Sequence, residues 1–145
     1  MVGIIITGHA NFALGMMSAI KLVFGSPESL KIVNFGEEDS TEVLENNIKT
    51  AIHELKECDG LLCFTDIAGG TPFQVASRLS IEEAEMRVIS GTNLPMLLGV
   101  LSERDDMDLY GLAEYALEVG REEVKEFTFI TYNDDVADES EDDGI

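Results

Sequence analysis

Gly60-Leu61-Leu62-Cys63-Phe64-Thr65, followed by Asp66-Ile67-Ala68-Gly69-Gly70-Thr71-Pro72-Phe73, joins an apolar run to a turn and then to a helix start. The first six residues are too short for a helix and carry no polar alternation. They read as a strand buried on both faces, as in a parallel sheet. Pro72 suits a first helical position and Thr71 an N-cap, while the two glycines let backbone pass close to a neighbour. A buried strand feeding a helix through a tight loop is the repeating unit of an α/β fold.

The same unit recurs on either side. Val2 to Thr7 is a β-branched run ended by Gly8, and Phe12, Met16, Ile20 and Val23 then repeat at helical spacing from Asn11 to Phe24. Leu30 to Phe35 reads as a second strand, and Ser40 or Thr41 can cap a helix reaching Lys56. After the quoted segment, the helix is expected over 72–79, a strand over 86–90, and helices over 94–101 and 108–125. Phe127-Thr128-Phe129-Ile130-Thr131-Tyr132 is strand-like but apolar in both registers, as at a sheet edge or subunit contact. The fold class is therefore α/β: an open, mostly parallel sheet of order 2-1-3-4 plus a C-terminal strand, with helices on both faces and right-handed crossovers.

The chain has 145 residues, enough for one domain, and a formal charge of −20. Seven of its 29 acidic residues fall in Asp134–Ile145 without a single base, so residues 1–133 carry −13. We expect one domain over 1–133 and a disordered acidic tail over 134–145. Both parts are acidic, which argues against nucleic acid and against anionic membrane surfaces as partners. No apolar run approaches a transmembrane length and no signal peptide is evident, so a cytoplasmic protein is expected. Cys58 and Cys63 match no redox or zinc spacing and read as two reduced thiols, Cys63 inside a strand.

In open α/β sheets the chemistry collects beyond the carboxyl ends of the strands, where strand order reverses. Three post-strand loops qualify: Thr7–Asn11, Thr65–Pro72 and Ser90–Pro95. His9 could act as nucleophile, general base or ligand. On position alone, a merely capping histidine is an equal reading. Asp66 alone reads as a loop cap, but with strands one and three adjacent it meets His9 at the switch point, and the functional reading becomes the better one. A carboxylate there would fix the tautomer and stabilise a charged imidazole. Gly69, Gly70 and Thr71 at a helix start offer N–H groups, a dipole and a hydroxyl to a phosphoryl group. A simple capped helix is the plainer account of that segment taken by itself.

Other candidates are weaker. His53 reads as a flank or surface residue; Met16, Met17 and Met96 as packing; Asp105-Asp106 as a solvated loop rather than a metal pair. Arg104 and Arg121 could touch phosphate, but helix-surface ion pairs are the simpler account. G-x-x-x-x-G-K-[ST] and G-x-G-x-x-G are both absent, and none of the three loops holds a Lys or Arg. An enzyme drawing directly on ATP would want more positive charge and a metal site.

Over residues 1 to about 126 the sequence resembles the EIIA component of the mannose-type sugar phosphotransferase system. The likeness rests on Gly8-His9, Asp66-Ile67-Ala68-Gly69-Gly70-Thr71-Pro72-Phe73 with Ala76-Ser77-Arg78, and Gly91-Thr92-Asn93-Leu94-Pro95-Met96. Arg104-Asp105-Asp106 and Gly120-Arg121-Glu122 also fit. The resemblance implies that His9 is transiently phosphorylated on Nε2, taking the group from phospho-HPr and passing it to an EIIB partner, with the Asp66 position orienting the ring. It implies a homodimer that exchanges the last strand, no cofactor, no metal, and a sugar chosen by membrane components. Thr71 stands where serine is commoner, and Ala10 where glycine is frequent. The chain carries no attached EIIB domain, so a separate EIIB protein is expected. Within the same class, the phosphotransferase subunit of dihydroxyacetone kinase ranks second. From other classes, an aspartyl-phosphate receiver would want an acidic pair after strand one, and a non-catalytic regulatory module would take no phosphate.

Overall fold

The computed structural model describes residues 1–83 and 85–129. Four strands, β1 (Gly3–His9), β2 (Leu30–Phe35), β3 (Leu61–Thr65) and β4 (Met86–Ile89), form one parallel sheet in the order β2-β1-β3-β4. Between and after them come α1 (Phe12–Val23), α2 (Thr41–Glu54), α3 (Thr71–Glu82), α4 (Leu94–Glu103) and α5 (Leu109–Glu122).

Burial follows the hydrophobic pattern. β3 is buried along its whole length, and β1 up to the residue before His9, whereas β2 and β4 at the edges are only partly covered. Strands buried on both faces need apolar side chains in both registers, which is why β1 and β3 read as unbroken runs. On one face, Ile4, Ile6, Leu62 and Phe64 pack against Ala13 and Ile20 of α1, Leu97 and Val100 of α4, and Leu112 and Ala116 of α5. On the other, Ile5 and Cys63 pack against Leu44 and Ile48 of α2 and Val75 and Leu79 of α3. Burial pushes the Cys63 thiol up to about 12, so it behaves as a small apolar side chain.

Caps set several boundaries. Ser40 accepts the Val43 amide at 3.1 Å, Asn93 the Met96 amide at 3.0 Å, and Asp108 the Gly111 amide at 2.8 Å. At the start of α3 the expectation is off by one residue. Gly70 is the cap, and Thr71 is the first helical residue.

Arg104 differs more. It is 6% exposed, not a surface residue, and its guanidinium donates to the carbonyls of Val2, Glu28 and Ser29. Three carbonyls converging at the amino ends of β1 and β2 offer a buried cation acceptors that outweigh a surface ion pair. The expected strand over 127–132 is not formed where it is described: Phe127–Phe129 lie outside any strand, with Phe127 and Phe129 exposed. Residues 130–132 and the acidic tail lie outside the described residues.

Candidate functional site

The strand order reverses between β1 and β3. β2 lies on one side of β1, and β3 on the other, so their carboxyl ends leave a crevice uncovered by either crossover. Thr7 pairs with Thr65 in the register, which places His9, two residues on, beside Asp66, one residue on.

The two side chains touch. Asp66 Oδ2 lies 2.8 Å from His9 Nδ1 and also accepts the His9 backbone N–H at 2.8 Å, while Oδ1 accepts the Ile67 N–H at 2.8 Å. One carboxylate oxygen therefore holds both the backbone and the ring of the same residue. Burial pushes the Asp66 pKa up. The His9 amide, the His9 ring and the Ile67 amide together outweigh that and hold it below its ordinary value. An ionised carboxylate only accepts, so Nδ1 must donate. In the neutral ring the lone pair is then on Nε2, which has no hydrogen-bond partner among the described residues. The His9 side chain is 43% exposed and Asp66 11%.

Two glycines make room for this pair. A Cβ on Gly8 would lie 3.0 Å from the Asp66 carboxyl and 2.6 Å from the Phe12 ring. A Cβ on Gly70 would lie 2.9 Å from His9 Cε1. Gly69 has φ +81°, a left-handed conformation that favours glycine, and its carbonyl accepts the Gln74 side-chain amide at 2.7 Å. Ala10 occupies the same region at φ +51°, held by its N–H to the Phe35 carbonyl at 2.7 Å.

Beside the ring, the start of α3 carries free donors. Pro72 has no N–H, Gly70 N–H is used by the Ile67 carbonyl at 3.1 Å, and Gln74 N–H by the Gly70 carbonyl at 2.9 Å. Among the described residues the Thr71 and Phe73 amides have no acceptor. Because Gly70 rather than Thr71 is the cap, the Thr71 hydroxyl is not used for capping either. A helix N-terminus with two open N–H groups and an open hydroxyl is suited to an anion.

The third loop plays another part. Thr65 Oγ1 donates to the Ile89 carbonyl at 2.9 Å, Thr92 Oγ1 to the Thr65 carbonyl at 2.7 Å, and Gly91 N–H to the Asp66 carbonyl at 3.2 Å. Ser90–Asn93 thus braces Asp66 from behind instead of reaching the ring. His53 is exposed on α2 and Arg121 on α5, while Met96 is buried core. Among the described residues, no three His, Cys, Asp or Glu side chains group as a metal site would require. No helix there is long and apolar enough to cross a membrane.

Sequence reasoning missed Phe35. Its ring stands 6.0 Å from the His9 ring, centroid to centroid, at 64°. The available signal was the register: as the last residue of β2, Phe35 is the direct partner of His9.

The family model described as "PTS system fructose IIA component" matches residues 3–117. The chain belongs to the mannose-type EIIA family of sugar phosphotransferase systems. It is similar to the fructose-specific EIIA component of Bacillus subtilis, 32% identical over 112 residues covering 77% of each chain. It is 31% identical over 125 residues to the mannose-specific EIIAB component of Escherichia coli K12, which covers 86% of this chain and 39% of that longer one. The crystal structure of a phosphotransferase system EIIA component from Streptococcus agalactiae superposes with a TM-score of 0.80 at 30% identity, covering 87% of this EIIA chain and 97% of the other. As a mannose-type EIIA, the protein has a phosphoryl-transfer role in a sugar phosphotransferase system.

Proposed function

We propose that His9 is the phosphoryl acceptor and that the protein is a cytoplasmic phosphocarrier between HPr and an EIIB component. The observation that carries this reading is the 2.8 Å contact of Nδ1 with an ionised Asp66, which leaves the Nε2 lone pair unclaimed. Nε2 attacks the phosphorus of the donor's phosphohistidine in line. An N–P bond forms to His9 as the N–P bond to the donor breaks, and the bonding pair returns to the donor's imidazole. The proton on Nδ1 stays in place. The ring becomes a phosphoimidazolium, and Asp66 stabilises its positive charge.

The Thr71 and Phe73 amides and the Thr71 hydroxyl then bind the phosphoryl oxygens, with Gly69 and Gly70 allowing the close approach. No lysine or arginine lies in the three loops. A group held by neutral donors is retained weakly, as a group to be handed on must be. Delivery to EIIB repeats the step in reverse, with the partner's nucleophile in the donor's place.

The outer edge of β4 is unpaired among the described residues. We assign that edge to the C-terminal strand of a second copy, giving a homodimer; a monomeric mass in solution would reject this part.

Phosphoenolpyruvate, enzyme I and HPr, followed by mass mapping, test the central claim. Label on His9 that is lost in acid and kept in base supports it. Base-labile label on a carboxylate, or no label, rejects it.

A further inference from the structure

A single hydrogen bond does not stop a ring from turning. Asp66 holds Nδ1, but a histidine that is 43% exposed could still turn about χ2, which carries Nδ1 away from Asp66 and puts Cε1 where Nε2 stood. Two other groups border the imidazole. Gly70 lies close enough for a Cβ there to sit 2.9 Å from Cε1 and 3.6 Å from Nε2. Phe35 supplies an aromatic wall at 6.0 Å and 64°, within the favourable edge-to-face range.

Phe35 is itself well anchored. Its side chain packs against the buried cluster shared by β1, α2 and α3. Its carbonyl takes the Ala10 N–H at 2.7 Å, and its backbone pairs with His9 in the sheet. The residue after His9 is thus pinned to the residue whose ring faces His9, so wall and histidine move together. A phenyl ring also has no donor or acceptor. It limits rotation without competing for either ring nitrogen or for an incoming phosphoryl group.

We propose that Phe35 is a positioning residue for His9, closing with Gly70 the space that the imidazole would sweep in a χ2 turn that carries Nδ1 away from Asp66 and so frees the tautomer. The proposal rests on the reading of His9 as phosphoryl acceptor, and it deepens that reading by naming what keeps Nε2 outward.

Phe35→Ala, Phe35→Leu and Phe35→Tyr test it with two measurements on the full chain. Nitrogen-15 NMR of the imidazole in the unphosphorylated protein reports the tautomer, and single-turnover transfer from phospho-HPr reports the rate. Wild type should show one Nδ1–H tautomer. Phe35→Ala should show averaged ring nitrogens and transfer slowed about threefold to tenfold, the size of one aromatic pair contact. Phe35→Tyr should restore both readouts. Phe35→Leu should restore the melting temperature without restoring the ring signature. Wild-type nitrogen shifts and rate in Phe35→Ala would overturn the proposal, as would losses that follow melting temperature alone across the three variants. If wild-type His9 takes no label, the phosphocarrier reading fails, while the tautomer comparison still decides whether Phe35 orders the ring.

Discussion

At the amino ends of β1 and β2, the buried Arg104 guanidinium gives its N–H groups to the carbonyls of Val2, Glu28 and Ser29, and the N-terminal ammonium pairs with Asp59. At the carboxyl ends of β1 and β3, the Thr71 and Phe73 amides and the His9 Nε2 are left open beside solvent. The first end closes its polar accounts within the protein. The second keeps donors and a lone pair available for a visitor. A buried polar group without a partner costs about 1–3 kcal/mol, so open groups are best kept where water reaches them; the Thr7 hydroxyl, buried in β1 without a partner among the described residues, is an exception. Stability and transfer should therefore respond separately to changes at the two ends.

The sharpest break comes from His9→Ala. Labelling by phospho-HPr should vanish while thermal stability stays near wild type, as intact mass and calorimetry would show. A residual label would move the acceptor elsewhere.

Asp66→Asn keeps the shape but lets the side chain present a donor to Nδ1, and transfer should fall about 100-fold, the lower range for a positioned proton-holding group. Stopped-flow or quench kinetics would measure it. The same residue links the open end to pH. Its folded pKa is held below the ordinary 3.8, so its stabilising contribution is complete above that value and is lost as pH falls through the depressed one. Acid unfolding curves of wild type and Asp66→Asn should differ by a constant amount near neutrality and converge in strong acid.

Arg104→Met tests the closed end. Leaving three backbone carbonyls without their donor should cost about 3 kcal/mol in urea unfolding. Transfer per folded molecule should be unchanged, and a specific loss of rate would show that the two ends are coupled. Smallest of all, Ala10→Gly should stabilise by up to about 1 kcal/mol by relieving the left-handed φ of +51°. It also frees the joint between His9 and α1, and a stable variant with slower transfer would show that the strain helps hold the ring.

Much of this was legible in the residues. The unbroken apolar runs at 2–7 and 60–65 identified the two central strands, because only strands covered on both faces dispense with polar alternation. Glycine and proline marked the loops. His9, Asp66 and Gly69–Thr71 stood out because each follows a strand. Thr71 reads as the cap because Pro72 suits the first helical position. The fold starts α3 one residue earlier, with Gly70 extended against the His9 ring, and this leaves the Thr71 hydroxyl open. Arg104 looked like any charged residue before Asp105-Asp106, since nothing nearby in sequence announces carbonyls 75 to 102 residues away. Phe35 looked like the end of an edge strand and nothing more.

Local pattern by itself determined the type and order of the four strands and five helices from Gly3 to Glu122, the doubly covered sheet and the loops where chemistry could gather. These follow from side-chain hydrophobicity, backbone preference and spacing, all carried by neighbouring residues. Tertiary structure alone decided which nitrogen of His9 is free, how closely Gly70 and Phe35 confine the ring, and which charge is buried. Those outcomes depend on distances between segments far apart in the chain, and a shift of one residue in the pairing of β1 with β3 would undo them.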